Sequence, residues 1–478
     1  MQMIIAGEWR DASDGGATEI KNPATGDVVD RAPAATEADT LKAIDAAESA
    51  LKAWSKTPPS KRGEILFAAG HKIKEREKEL AKLLTQEQGK PMREAVLEVR
   101  RFVHTLEHYA GMSKSIRGGY VPQLDERRFG VIIKKPIGVC GSIVPWNFPL
   151  SLLGNKIGPA LLCGNTVVIK PAGTTPLTDI QAVHLMNEAG LPAGVLNIVS
   201  GPAKVVGETI LRDPRVRKIG FTGATATGRH VMEVAAQTIK RVTLELGGSD
   251  PMIVCDDADI DEAASAASVG RFFNCGQACL AIKRLYVFGK VFDEFVAKLI
   301  PRVEKLKVGN GMEQGILLGP LHTAAQRAEV EDQVADAIKK GARALVGGKR
   351  PDGAAFEKGN FFQPTVLVDV DEKSKIVVEE VFGPALPIMR VKDLEEAIEK
   401  ANNSIYGLGS SIWTRDINRA NEAAERLDAG YTWVNSPQII FDELPFGGVK
   451  QSGIGKEHGN EALDYYMETK SVVYANGV

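Results

Sequence analysis

The first hundred residues carry apolar side chains at intervals of three and four. After Thr36-Glu37-Ala38-Asp39, the positions Leu41, Ile44, Ala47 and Leu51 share one helical face. That spacing behind a threonine cap predicts a capped amphipathic helix. A second, long helix is predicted from Ser60 to about Gln88, ended by Gly89 and Pro91. A third is predicted from about Met92 to Ser113, with Val96, Val99, Val103, Leu106 and Tyr109 in register. Ahead of all three, MIIAGEW reads as a short strand followed by a turn.

The texture then changes. GGYVPQLDERRFGVIIKKPIGVCGSIVPW alternates in polarity, with turn residues around Gln123–Glu126, and predicts a β-hairpin leading into a buried strand. Short apolar runs follow at Val139–Val144, Thr166–Lys170, Leu196–Val199, Lys218–Thr222, Val242–Leu246 and Met252–Val254, most of them separated by helical patterns. Strands alternating with helices predict an α/β fold with a parallel sheet covered on both faces. From about Asp259 a second α/β pattern begins. It has helices near 260–273, 291–305, 323–340 and 394–402, and strands in LYVFG, FFQPTVL and GLGSSIWT. ELPFGGVKQSGIGKEHG is too rich in glycine to be expected as helix or sheet. YYMETKSVVYANG ends in an apolar strand that either docks on another subunit or closes a core edge.

Composition narrows the class. A chain of 478 residues suggests two or three domains, and 44% apolar residues suffice for large cores. A net charge of −2 gives no drive towards nucleic acid or an anionic membrane. No run approaches the length of a membrane-spanning helix, and MQMIIAGEWRDASDGG has neither the basic region nor the apolar stretch of a signal peptide. Five cysteines, at 140, 163, 255, 275 and 279, are too few and too odd in number for a disulfide framework. They point to a reducing, cytoplasmic compartment.

Two of those cysteines stand four apart in RFFNCGQACLAIKR, residues 271–284. A metal clip would need more ligands. No CxxC occurs, and His104 and His108 in HTLEH lack the glutamate of a zinc protease motif, so no metal site is expected. Helical spacing would permit a strained disulfide, which a reducing compartment disfavours. The local residues leave two readings open. Either both cysteines pack as small hydrophobes, or one is a nucleophile beside a glycine that lets a substrate approach.

Distant motifs separate these readings. PWNFP at 145–149, FTGATATG at 221–228, LELGG at 244–248, FFNCGQACLA at 272–281, EEVFGP at 379–384 and LPFGGVKQSG at 444–453 occur in one order along nearly the whole chain. Together they resemble the aldehyde dehydrogenase superfamily, in its hydrolytic, NAD(P)-dependent branch. The resemblance implies a Rossmann-like cofactor domain, an α/β catalytic domain and a β oligomerisation arm. It divides the chain into a cofactor domain over 1–117 and 138–244, and a catalytic domain over 245–433. The oligomerisation element would be 118–137 with 459–478, and 434–458 a returning Gly-rich segment. It implies Cys279 as nucleophile, Asn147 with the Cys279 backbone N–H as oxyanion donors, and Glu245 as the base that hydrolyses a thioester. The CoA-acylating branch lacks such a carboxylate. Cys275 falls on a free position of the pattern, where it packs or acts as a redox partner. Lys156 and Glu457 match a proton-handling pair.

The same resemblance implies the cofactor contacts Ile143, Trp146, Lys170, Gly173, Gly207, Gly223, Ala224, Leu246, Glu380 and Phe382. No GxGxxG follows a strand here. Instead the helix after FTGATATG faces the pyrophosphate, with Ala224 where many members carry serine. Gly173 stands where NAD-preferring members carry a glutamate that would repel a 2′-phosphate, so NADP is expected to be accepted alongside NAD. The substrate lining is expected from Phe148, Leu152, Asn155, Ala278 and Leu280. Asn155 replaces the arginine usual in succinate-semialdehyde enzymes, which favours lactaldehyde, glyceraldehyde or another small aliphatic aldehyde. A semialdehyde dehydrogenase, an inactive structural homologue and a cofactor-independent hydrolase are the alternatives. A homodimer or homotetramer is expected.

Overall fold

Two largely parallel sheets organise the chain, which the computed structural model describes from residue 1 to 475. The first has eight strands in the order Glu8–Arg10, Met3–Ile5, Leu196–Ile198, Thr166–Lys170, Val139–Ile143, Val216–Thr222, Arg241–Glu245, Gly453–Ile454. Its five central strands are parallel, and both edges are antiparallel additions. Thr166–Lys170 is buried at every position, because helices cover both faces of such a sheet. The alternation of short apolar runs with helical patterns announced these strands to within a residue or two.

Register brings chemistry to one edge. Ile143 pairs with Lys170 and Phe221, and Thr222 pairs with Glu245, so these side chains stand together at the C-terminal ends of parallel strands. That edge is where open α/β sheets hold ligands.

The second sheet runs Arg343–Val346, Thr365–Val368, Ala385–Val391, Ile282–Phe288, Asp250–Val254, Gly409–Trp413, Tyr431–Val434. Only its first strand is antiparallel. A single apolar core surrounds this sheet, with Phe295, Leu285 and Val366 fully buried. Separate cores lie on the two faces of the first sheet.

Two details depart from the sequence expectations. The helix predicted from Ser60 to Gln88 is two helices, Pro59–Glu75 and Glu77–Gln88, broken at Arg76 (φ −106°, ψ 17°). The break puts Glu77 and Glu79 in a new first turn, where the helix dipole favours acids. Residues 74–79 are all charged, so no apolar position falls at Arg76 to mark the break. The Gly-rich tail, expected as neither helix nor sheet, contributes strands at Val449–Lys450 and Gly453–Ile454. Gly453 can pair with Glu245 because a Cβ there would collide with the Leu244 carbonyl oxygen. The capped helix is present at Glu37–Trp54, with Thr36 and Asp39 forming a reciprocal capping box.

A third sheet stands apart. Met467–Ala475 pairs antiparallel with the whole of Arg128–Pro136, and Gly119–Asp125 flanks it. It exposes Tyr120, Val121, Leu124, Val473 and Tyr474. Residues 476–478 of the expected oligomerisation element lie outside the described residues. Among the described residues, no helix is long and apolar enough to cross a membrane.

Candidate active site

Cys279 is set apart from the other thiols by exposure. Cys140, Cys163, Cys255 and Cys275 are buried, Cys279 is partly exposed, and all five are free. Cys275 packs in the core of the second sheet. It also has a left-handed backbone (φ 56°), as does Asn274 (φ 51°). Two such residues in succession are costly, and the surroundings hold them in place. The Asn274 N–H donates to Glu94 Oε2 at 2.9 Å, and its side-chain amide donates to the Asn147 carbonyl at 2.9 Å. Gln277 ties back to the Asn274 carbonyl and accepts from the His322 N–H. The strained turn lifts Cys279 out of the core at the end of the helix Ile260–Phe272.

Asn147 sits beside this turn. Its amide nitrogen donates to the Gln277 carbonyl at 3.1 Å, which fixes the amide plane and leaves a second N–H. The Cys279 backbone N–H donates no hydrogen bond to any group among the described residues. The Asn147 backbone is braced by Lys90, whose ammonium donates to its carbonyl at 2.8 Å, pairs with Glu98 and lies 4.0 Å over the Phe148 ring. Glu98 also accepts from the Leu150 N–H at 3.0 Å. Sequence reasoning missed Lys90, Glu94 and Glu98. Their signal was a pair of glutamates four apart on a helix face that otherwise packs in the core.

Glu245 ends its strand with one buried carboxylate oxygen lacking any partner. A Cβ on Gly447 would come within 2.6 Å of the other oxygen, so bare backbone is needed there. Burial, then the nearby charge of Glu457, lifts the Glu245 pKa well above the carboxylate norm, and Lys156 and Lys456 offset this only in part. Burial also works against the Glu457 charge, but Lys156 at 2.7 Å, His458 and Asn155 hold that carboxyl below its usual value. Lys156 bonds Thr222 Oγ1 at 2.5 Å as well. Asn155 donates to Glu457 Oε2 at 2.9 Å, so its amide nitrogen belongs to this buried pair. Burial pushes the Cys279 thiol up to about 12, with Lys283 opposing and Glu245, Asp250 and Glu380 reinforcing.

LELGG owes its glycines to close approach. A Cβ on Gly247 would strike Glu380 Oε2, and one on Gly248 would stand 2.7 Å from the Cys279 carbonyl oxygen. Glu380 accepts from the Gly248 N–H at 2.9 Å. Leu246 is buried, and its N–H donates to the Ser452 carbonyl. Trp146 stacks on His322 (4.6 Å, 12°) and meets Phe382 edge-on at 5.6 Å. His322, also missed from sequence, bonds Thr174 Oγ1 at 2.7 Å and is held neutral by burial, near 4. Lys170 is buried, lowered by burial to about 8, and donates to the Pro171 carbonyl. A Cβ on Gly207 would lie 3.6 Å from the Lys170 side chain, and nothing lies within 4 Å of one at Gly173. The helix Thr225–Ala236 starts at Ala224, after Gly223, with no side-chain cap.

Around Cys279 the wall is apolar. Leu280, Tyr431 and Ile440 pack with it against Leu408, Trp433 and Phe446. Phe148 stacks on Phe273 at 6.0 Å. Ala278 is buried, and Leu152 is half-buried in the first turn of the helix Pro149–Leu162.

At this parallel-sheet edge a partly exposed cysteine, a buried carboxylate and a spare amide N–H come together on an α/β fold. The chain belongs to the aldehyde dehydrogenase family, whose model matches residues 9–472. It is 43% identical over 472 residues to "Succinate-semialdehyde dehydrogenase [NADP(+)] GabD" of Escherichia coli (strain K12), covering 98% of this chain and 96% of that one. It is 42% identical over 469 residues to a glutarate-semialdehyde dehydrogenase of Pseudomonas putida, with the same coverages. A crystal structure described as an E. coli NADP dependent enzyme superposes with a TM-score of 0.97 at 42% identity, over 99% of this chain and 98% of that one.

Proposed function

We propose that the chain oxidises an aldehyde to its carboxylic acid with NADP or NAD, through Cys279, Glu245 and Asn147. The observation that carries this reading is the one cysteine of five that is not fully buried, within the field of a buried carboxylate that has an unpartnered oxygen. Burial keeps that thiol protonated in the resting site, so attack on a carbonyl needs a base. Glu245 takes the proton, and the sulfur bonds to the carbonyl carbon. The resulting oxyanion meets the Asn147 and Cys279 N–H groups, already oriented. A bound nicotinamide supplies the hydride acceptor, and Cys279 is left as a thioester. Glu245 then activates water to cleave the thioester and free the thiol. Between the two steps Glu245 gives up the proton it took, and the charges of Lys156 and Glu457 bias its protonation.

The residues around the sheet edge fit a dinucleotide. The uncapped helix after Ala224 suits the pyrophosphate. Lys170, the adjacent Gly207 and the open space at Gly173 suit the adenine ribose with or without a 2′-phosphate. Glu380 suits the nicotinamide ribose, with Ile143, Trp146, Gly223, Leu246 and Phe382 lining the cleft. The 1–117 with 138–244 and 245–433 division is the domain arrangement that goes with this reading, in a cytoplasmic enzyme.

For the substrate, the names of the two relatives support a dicarboxylic semialdehyde. A second reading, a small aliphatic or hydroxylated aldehyde such as lactaldehyde or glyceraldehyde, is supported by Asn155. No guanidinium stands there, and its amide nitrogen is committed to Glu457. The test is a panel of both aldehyde classes with each cofactor, followed by absorbance of the reduced nicotinamide. Cys279→Ala is expected to abolish turnover, and Cys275→Ala to retain it. Undiminished oxidation by Cys279→Ala, or ester hydrolysis as the sole activity, would overturn the assignment. Preference for uncharged aldehydes over semialdehydes would favour the second substrate reading.

A further inference from the structure

Lys283 is fully buried at the start of the strand Ile282–Phe288, where strand patterning alone asks for an apolar residue. Its ammonium donates to the Cys279 carbonyl at 2.7 Å, the Gly248 carbonyl at 2.8 Å and Glu380 Oε1 at 2.8 Å. All three of its protons are therefore used. Gly248 in turn donates its N–H to the same Glu380 oxygen. One cation thus joins the turn that carries the thiol, the Gly-Gly segment after Glu245, and the carboxylate assigned to the nicotinamide ribose.

We propose that Lys283 is a positioning residue that locks Cys279 and Glu380 into one arrangement, coupling cofactor binding to the nucleophile. The proposal rests on the assignments of Cys279 and Glu380 above. Two carbonyls and a carboxylate converging on one point repel each other, and only a buried donor-rich cation holds them together. With Lys283 in place, Glu380 keeps its second oxygen for a ligand. The Lys283 charge also opposes Glu245, Asp250 and Glu380, the acidic groups whose fields reach the thiol.

The test compares Lys283→Met, Lys283→Arg and Glu380→Gln with the wild-type chain, by three readouts. These are NADP and NAD affinity by titration calorimetry on the free protein, iodoacetamide alkylation of Cys279 against pH located by mass spectrometry, and KM and kcat. In Lys283→Met we expect cofactor affinity to fall by about tenfold or more, and alkylation to shift to higher pH. Glu380→Gln should lose cofactor affinity without that upward shift, because it removes a negative charge. Lys283→Arg keeps the charge but displaces the donors. It should weaken cofactor binding while leaving the alkylation profile in place, and it carries the test if Lys283→Met does not fold. Unchanged affinity and an unchanged alkylation profile, with only a lowered melting temperature, would reduce Lys283 to a structural filler and overturn the proposal. A Lys283→Arg variant that shifts the alkylation profile and spares cofactor affinity would overturn it as well. Alkylation at another cysteine with activity lost would instead overturn the assignment of Cys279 itself.

Discussion

In the proposed mechanism Glu245 must be unprotonated both to accept the thiol proton and to activate water, and its surroundings raise its pKa. The sign follows directly. kcat should fall as pH is lowered through a value above that of free glutamate, and this acidic limb should vanish in Glu245→Gln. That variant is expected to lose about 10²–10⁴-fold in kcat, with the phase that reduces the cofactor slowed as well as hydrolysis, because Glu245 serves as base in both steps. Stopped-flow absorbance reads both. At Gly173 nothing would obstruct a side chain, so Gly173→Glu should fold normally. It should lower kcat/KM for NADP while sparing NAD, by about tenfold or more from a carboxylate facing a phosphate. Equal effects on the two cofactors would exclude Gly173 from the 2′-phosphate site. Among individual residues, the motifs pointed to Cys279, Asn147 and Glu245, but His322 and Lys283 fell in no pattern. Their partners at Thr174, Gly248 and Glu380 are distant in sequence, and spacing carries no trace of them.

The element that closes the site is the returning segment, tied down by Asp442. This carboxylate pairs with Arg101 at 2.5 Å and His104 at 2.6 Å, both on the helix Met92–Gly111, and lies 2.7 Å from His458 Nδ1. Burial works against its charge, but His458, Arg101 and His104 hold it down to about 2. A carboxyl depressed in the fold stabilises it above its ordinary pKa and loses that contribution as pH falls towards the depressed value. Asp442→Asn should therefore cost about 3 kcal/mol at neutral pH, and the gap to wild type should narrow between about pH 4 and pH 2. Denaturant melts across that range measure it. Two elements show where periodicity fails as a guide. The break at Arg76 falls in the charged run 74–79, where no apolar position marks it, and the strand Gly453–Ile454 exists only because Leu244 and Glu245 offer it an edge.

At the scale of the molecule, the small third sheet is exposed on a face bearing Tyr120, Val121, Leu124, Val473 and Tyr474. Phe129 stacks on Tyr474 at 5.0 Å and meets Tyr120 at a tilt at 5.6 Å. We propose this face as the contact of a homodimer or homotetramer, since contiguous apolar exposure of this kind marks an interface. Tyr474→Asp should lower the mass measured by light scattering to that of one chain, and an unchanged mass would move the interface elsewhere.

The chain's apolar periodicity determined the two α/β sheets and most of their central strands, because burial on both faces leaves continuous apolar runs such as TVVIK, while Arg343–Val346, Ala385–Val391 and Tyr431–Val434 went unannounced. Its separated motifs singled out Cys279, Glu245 and Asn147, the residues to which the proposed mechanism gives its roles, because that chemistry demands particular side chains. Tertiary structure alone decided how these groups meet. It put Cys279 on a strained turn held by Glu94 and Asn274, committed Asn155 to Glu457, and placed the Lys283 ammonium where three chain segments cross. Hydrogen bonds between residues far apart in the chain set those arrangements, and no local pattern encodes them.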